Sequence, residues 1–227
     1  MARLCVFAEG QTEQTFVTTV VAPHLYDYGV YPYTRLVANA HKKRRAHRGG
    51  LRSYLPFKRD IIRSLSEDQS QNAFFTTMID LYALPRDFPG TQGSESLRHL
   101  PYDRVDHLEE ALASDINDPR FIPYIQLHEF EACLFSEPSQ FGFFYACRER
   151  QIVELQAIVE ECGGPERIDD GPQTAPSKRI LRVLPEYDKL SAGPVIAKEI
   201  GLSSIRSQCP HLDQWLTRLE ALAAGSF

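Results

Sequence analysis

The chain has 227 residues, 43% of them hydrophobic, and a formal net charge of −5. That length suits one large domain or a domain with a helical annex, and the apolar content argues against wholesale disorder. A negatively charged protein has no general attraction for nucleic acid, so such a partner would need a local basic patch.

Cys5, Cys133, Cys147, Cys162 and Cys209 are scattered, odd in number and without Cys-x-x-Cys spacing. This argues against a disulfide framework and a structural zinc site, and the simplest account is reduced, mostly buried thiols in a cytosolic protein. The first apolar run begins without a charged leader. No apolar stretch approaches the roughly 20 residues needed to span a membrane. The expected location is the cytoplasm.

Leu4-Cys5-Val6-Phe7-Ala8 reads as a buried strand. Glu9-Gly10-Gln11-Thr12-Glu13 follows as a tight turn, and Phe16, Val17, Val20, Val21 and Leu25 then recur at helical spacing. Thr12 is expected to cap that helix and Gly10 to let the backbone turn. Glu9 then stands at the carboxyl end of a strand, where open α/β sheets place their chemistry. A carboxylate there must be solvated, paired or metal-bound. Glu9 and Glu13 also complement the positive end of the helix dipole, and for Glu13 that role alone is an open alternative.

Residues 30–38 read as a second strand. The dense basic run that follows contains Lys42, Lys43, Arg44, Arg45 and Arg48 and ends in Gly49-Gly50. It is either a solvated surface loop or a phosphate-contacting loop, and its position between core elements favours the second. An amphipathic helix is expected over 54–65, with Leu55, Ile61, Ile62 and Leu65 on one broad face. Ala73-Phe74-Phe75-Thr76-Thr77-Met78-Ile79 is a central-strand candidate ending in Asp80. The following segment to Gly90 is too proline-rich to continue it.

A helix over 102–114 and a turn at Asn117-Asp118-Pro119 lead to a strand over 121–127, with Pro123 marking its beginning or an edge. His128 to Phe135 read as the first turns of a helix. Glu129 and Glu131, two apart, would point in different directions in a regular helix and both flank a site only if the junction is extended. Beyond 138 the pattern is helical, over 148–162, from a cap at Ser177, and over 195–200, 202–207 and 212–223. Trp215 is expected to pack the last helix against the body.

In a parallel sheet with right-handed crossovers, the strand ends carrying Glu9, Asp80 and the Glu129/Glu131 pair share one edge. Two unit charges at about 4 Å repel by roughly 4 kcal/mol at an effective dielectric near 20. Shared protons, a basic side chain or a divalent cation must neutralise them. Carboxylate oxygens without clustered Cys or His suit Mg²⁺ or Mn²⁺. With a phosphate substrate, that implies metal-assisted phosphodiester chemistry. The basic loop, Lys178 and Arg179 could offset the phosphate charge.

Other chemistries fit less well. His128-Glu129 lacks the Pro-Cys-x-x-Cys partner of zinc deaminases. There is no Walker loop and no Gly-x-Ser-x-Gly elbow. His128 is either a proton shuttle, a residue of the metal's surroundings or a satisfied structural histidine.

Several motifs together resemble domain-of-unknown-function family 4276 over nearly the whole chain. They are Glu9-Gly10-Gln11-Thr12-Glu13, then Thr76 to Asp80 with Leu84-Pro85 and Phe88-Pro89-Gly90. Pro123 to Ala132, Gly171 to Ile180 and Cys209-Pro210-His211 complete the set. The resemblance implies a Toprim-like fold, as in topoisomerases, primases and the nuclease part of overcoming-lysogenization-defect proteins. In that fold a glutamate after the first strand and aspartates after a later strand hold Mg²⁺. Glu9 matches that glutamate and Asp80 the first aspartate. Tyr82 stands where the second is expected, so either Glu129 or Glu131 substitutes or metal binding is degraded. The resemblance also implies an ATPase partner in bacterial anti-phage defence.

The expectation is an α/β protein with a Toprim/Rossmann-like, mainly parallel sheet flanked by helices and a helical C-terminal portion. One domain over 1–227 would comprise an α/β core (1–135) and a mainly helical extension (136–227). The expected activity is divalent-metal-dependent nuclease action on DNA or RNA. Glu9, Glu13, Asp80, His128, Glu129, Glu131 and Lys178 form the catalytic set, with Glu9, Asp80, Glu129 and Glu131 as metal ligands. Lys42, Lys43, Arg44, Arg45, Arg48, Lys178 and Arg179 would bind substrate. One rival is a non-catalytic nucleic-acid- or partner-binding subunit of an ATPase complex. Another is a phosphoryl- or nucleotidyl-transfer enzyme on a small nucleotide, which a narrow pocket would favour. A homo-oligomer is compatible with either.

Overall fold

A computed structural model describes residues 1–37, 51–168 and 171–224. Lys42, Lys43, Arg44, Arg45 and Arg48 of the basic run lie outside the described residues.

Strand β1 (Ala2–Ala8) leads into helix α1 (Gln11–Phe16), a π-helical stretch (Val17–Val21) and helix α2 (Ala22–Tyr26). Strand β2 (Val30–Leu36), helix α3 (Tyr54–Glu67) and strand β3 (Ala73–Asp80) follow. A short turn of helix α4 (Thr91–Ser94) and the longer α5 (Pro101–Ile116) precede two very short strands, β4 (Phe121–Ile122) and β5 (Ile125–Gln126). The remainder is helical: a 3₁₀ segment (Phe130–Ser136), then α6 (Phe141–Phe144), α7 (Glu149–Cys162), α8 (Pro176–Val183), α9 (Lys189–Ile200), α10 (Leu202–Gln208) and α11 (Pro210–Glu220).

All strand pairs are parallel, in the order β2-β1-β3-β4, with β5 also pairing β3. This is the expected mainly parallel sheet flanked by helices, with a helical C-terminal portion. The register sets Ala8 beside Leu36 and Met78, and Asp80 beside Gln126, so the carboxyl ends lie along one edge.

Both faces of the sheet are covered, as parallel pairing requires. In β1 the alternation is direct. Leu4 and Val6 join one apolar cluster, and Cys5 and Phe7 join the other. The second face is closed by Phe57 and Ile61 of α3 with Val105 and Leu112 of α5. The first is closed by Phe16 and Val21 together with Ile180, Ile196, Trp215 and Leu216 from the C-terminal helices. Trp215 packs the last long helix against the sheet, as expected: it is buried, stacks on Tyr124 at 4.3 Å, and its Nε1–H donates to Thr76 Oγ1 at 2.9 Å.

Several local expectations are corrected. Gly10, not Thr12, is the N-cap of α1, and Thr12 is buried inside the first turn. The backbone at Gly10 is extended (φ −148°), so its role is space: a Cβ there would stand 3.1 Å from Glu13 Oε2. The helix over 54–67 buries Tyr54, Phe57, Ile61 and Leu65, while Leu55 and Ile62 are exposed. The strand expected over 121–127 is broken at Pro123, which has no N–H to give to a ladder. Thr77 repairs the break: its hydroxyl donates to Tyr124 O and accepts from Tyr124 N–H. Ala175 precedes α8, so Ser177 lies inside that helix. Cys5, Cys133 and Cys209 are buried, Cys162 is half-buried and Cys147 is exposed; all five are free thiols.

Candidate active site

The strands β2 and β3 flank β1 on opposite sides. The chain therefore leaves β1 and β3 toward different parts of the fold, and a crevice opens at their carboxyl ends, the position where open α/β sheets bind ligands. Glu9 and Asp80 meet there. The Glu9 carboxylate accepts the Asp80 N–H at 2.7 Å, and Asp80 Oδ1 accepts the Phe130 N–H at 3.0 Å.

Glu129 and Glu131 arrive through a strained junction. His128 has φ +63°, a left-handed conformation that costs energy for a residue with a Cβ. Glu129 is extended and Glu131 lies in the first turn of the 3₁₀ segment. The extended residue lets both glutamates reach the site, the alternative a regular helix would have denied. Glu129 Oε2 accepts the Ser177 N–H at 2.9 Å. Glu13, in the first turn of α1, completes a group of five carboxylates.

A lysine that sequence reasoning missed stands among them. Lys189 Nζ lies 3.2 Å from Glu131 Oε2, 3.4 Å from Glu13 Oε1 and 3.6 Å from Asp80 Oδ2. As the first residue of α9, Lys189 places a positive charge at the positive end of the helix dipole. Asp188 caps that helix by accepting the Ser191 N–H. Of the three ways of neutralising the acids, a basic side chain is thus present.

Among the described residues, one lysine does not balance five acids. Glu131 is fully buried, and neither of its oxygens accepts a well-aligned hydrogen bond among the described residues; the same holds for Glu13 Oε1. Burial, reinforced by Glu13 and Glu129 and opposed by the Asp80 amide and Lys189, lifts Glu9 to about 7. Burial pushes Asp80 and Glu131 upward as well, against the pull of Lys189. Burial alone would lower Lys189, but Glu131, Asp80 and Glu13 outweigh it and hold the ammonium protonated.

Other expected site residues stand apart. Lys178 is exposed and forms no salt bridge among the described residues. Arg179 Nε donates to Thr174 O at 2.7 Å, tying down the loop before α8. His128 is buried with Nε2 3.1 Å from Glu166 O, and its carbonyl accepts the Tyr82 N–H. Its visible contribution is positional, through its backbone. Tyr82 is exposed and brings no carboxylate.

The donor set fits a hard divalent cation. It is all oxygen, mostly buried, charged in excess of the one lysine among the described residues, and holds oxygens without aligned partners. A second group, Asp106, Glu109 and His211, brings three potential ligand atoms within 4.8 Å of one another. There, Glu109 Oε1 already accepts from Ile125 N–H at 2.7 Å and lies 3.0 Å from His211 Nε2. Burial would lower His211, but the Glu109 hydrogen bond and charge raise it, as in a buried ion pair.

Fold and site define an α/β protein with a parallel sheet and an acid-lined crevice at its carboxyl edge. The profile of the family described as Domain of unknown function (DUF4276) matches residues 8–220, and the chain belongs to that family. Solved structures similar to it include the C-terminal region of the Burkholderia pseudomallei OLD protein. That chain is 15% identical with a TM-score of 0.41, the match covering 98% of this chain and 99% of that one. The C-terminal region of the Xanthomonas campestris pv. campestris OLD protein is 14% identical with a TM-score of 0.43, covering 99% and 98%. No curated protein matches the chain. No helix among the described residues is long and apolar enough to cross a membrane.

Proposed function

We propose that the protein is a divalent-metal-dependent nuclease that hydrolyses phosphodiester bonds of DNA or RNA. One observation carries this reading: five carboxylates from separate parts of the chain converge on the crevice between β1 and β3, and among the described residues a single lysine offsets them. A purely structural ion pair needs one acid per base.

Glu9, Asp80, Glu129 and Glu131 are the residues that would hold Mg²⁺ or Mn²⁺. When bound, such an ion supplies a Lewis acid for the phosphoryl oxygen and an activated water. Glu13 keeps Lys189 in place, 3.4 Å away. Lys189, released from part of its acidic surroundings, offers its ammonium to the charge that grows on the phosphate. The Toprim-like resemblance of the motifs around Glu9 and Asp80 supports the same assignment. It also supports an ATPase partner in a cytoplasmic defence system, and a chain acting as one domain.

A second reading rests on a specific observation. Lys189 stands between Glu13, Asp80 and Glu131, and Tyr82 replaces an expected carboxylate, so the protein could be a non-catalytic subunit with a lysine-neutralised cleft. Incubation of single- and double-stranded DNA and RNA with Mn²⁺ or Mg²⁺ separates the two. Cleavage that disappears in Glu9→Gln and Asp80→Asn supports the nuclease. No cleavage of any substrate by the wild-type chain, or cleavage untouched by both substitutions, contradicts it.

A further inference from the structure

The segment that leaves Asp80 borders a second feature. A cleft of about 390 Å³ opens beside Leu81 and Tyr82, directly after the strand that carries Asp80. Its opposite wall includes Pro172, from the loop that runs into Ser177, whose amide binds Glu129. The same two segments therefore wall the cleft and hold the acids.

The charge of the cleft is opposite to that of its neighbour. Among the described residues, the exposed Arg86 and Arg98 line it with one carboxylate, Glu95, and the buried Arg104 stands behind them. Glu95 lies 3.6 Å from Arg98, and both side chains are well exposed, so this pairing is weak. Thr91 and Ser94 also line the cleft, their hydroxyls donating to the backbone carbonyls of Arg86, Phe88 and Thr91 and so fixing the turn that carries Arg86. Two exposed arginines in one cleft of a protein with net charge −5 make a local basic spot. Guanidinium forks match the paired oxygens of phosphate, as they do those of carboxylate. The volume is within the range of small-ligand sites and matches one nucleotide unit, not a duplex. Tyr82, 40% exposed, is among the lining residues, and an exposed aromatic ring is the kind of side chain on which a base stacks.

We infer that this cleft binds a nucleotide phosphate next to the bond cut at the acidic crevice. The inference rests on the nuclease reading for the meaning of "next to", but not for the binding itself. The phosphate can belong to a strand or to a free mononucleotide, and the two sources are separable.

The experiment measures binding without cleavage, in EDTA. The full-length chain is titrated with fluorescein-labelled single-stranded and duplex DNA and RNA oligonucleotides at 25–200 mM KCl. A parallel titration uses adenosine 5′-monophosphate as ligand. Arg86 and Arg98 are exposed, so Arg86→Gln/Arg98→Gln leaves the packing alone, and its melting curve checks this. The double variant is expected to bind at least 10-fold more weakly to whichever probe the wild type holds. For an oligonucleotide, the slope of log affinity against log salt should fall in magnitude by roughly 1.4–1.8, the loss of two phosphate contacts. Oligonucleotide binding alone assigns the cleft to a strand, and mononucleotide binding alone assigns it to a free nucleotide. Equal affinity and slope in wild type and double variant overturn the inference, as does a wild type that binds none of the probes. Mn²⁺ titration of the same double variant should match wild type. If Mn²⁺ binds neither protein while the arginine effect persists, the metal reading fails and the cleft stands.

Discussion

At the scale of single residues, Glu9 and Lys189 decide the behaviour of the site. Glu9 titrates near 7 in the folded protein against an ordinary 4.5, so the native state holds its proton more tightly than the unfolded chain. A raised pKa contributes stability that is complete below 4.5 and is lost as pH rises through about 7. Asp80 and Glu131 are displaced in the same direction. The metal-free protein is therefore expected to have a lower urea midpoint at pH 8 than at pH 5, and saturating Mn²⁺ should remove most of that difference. Lys189→Met removes the one base among five acids. Loss of one partner of a buried pair costs about 3–5 kcal/mol, which partial exposure of the lysine reduces to about 1–3 kcal/mol. Urea melts in EDTA measure this, and Mn²⁺ should bind the variant more tightly than wild type. Glu9 and Asp80 were legible in the sequence because each follows a short apolar run. Lys189 was not, because no motif surrounds it and its role depends on three segments brought together from elsewhere.

At the scale of elements, α9 sets the position of Lys189. Gly193 on that helix faces Tyr187 and Phe130: a Cβ would meet the Tyr187 hydroxyl at 3.1 Å and the Phe130 ring at 3.2 Å. Gly193→Ala should push α9 from the 3₁₀ segment that carries Glu131. The expected cost is about 1–3 kcal/mol of stability, with weaker Mn²⁺ binding by calorimetry. Thr77→Val keeps the shape of β3 but leaves the Tyr124 N–H and C=O without their shared partner. The expected loss is about 1–3 kcal/mol, seen as a lower denaturation midpoint. These devices explain where sequence patterns stopped. The run over 121–127 has the composition of a strand, but Pro123 splits it and a side chain from β3 fills the gap. The junction at His128 was ambiguous because a left-handed residue followed by 3₁₀ turns has no hydrophobic period to reveal it.

At the scale of the molecule, one apolar cluster joins Leu4, Phe16 and Tyr124 to Ile180, Ile196 and Trp215, across the 135/136 boundary read from the sequence. Residues 1–135 alone would expose that face of the sheet and should show no cooperative melting transition by circular dichroism. The parallel sheet was legible because its central strands β1 and β3 are buried on both sides and read as continuous apolar runs. The docking of the C-terminal helices was legible mainly at Trp215. The central claim is that acids gathered from distant parts of the chain hold a divalent ion in the crevice between β1 and β3. Anomalous diffraction from crystals soaked in Mn²⁺ tests it directly. A peak bound by Asp80 together with Glu9, Glu129 or Glu131, with Lys189 drawn aside, is the predicted result. No peak at saturating Mn²⁺, with Lys189 still between Glu13, Asp80 and Glu131, would contradict it.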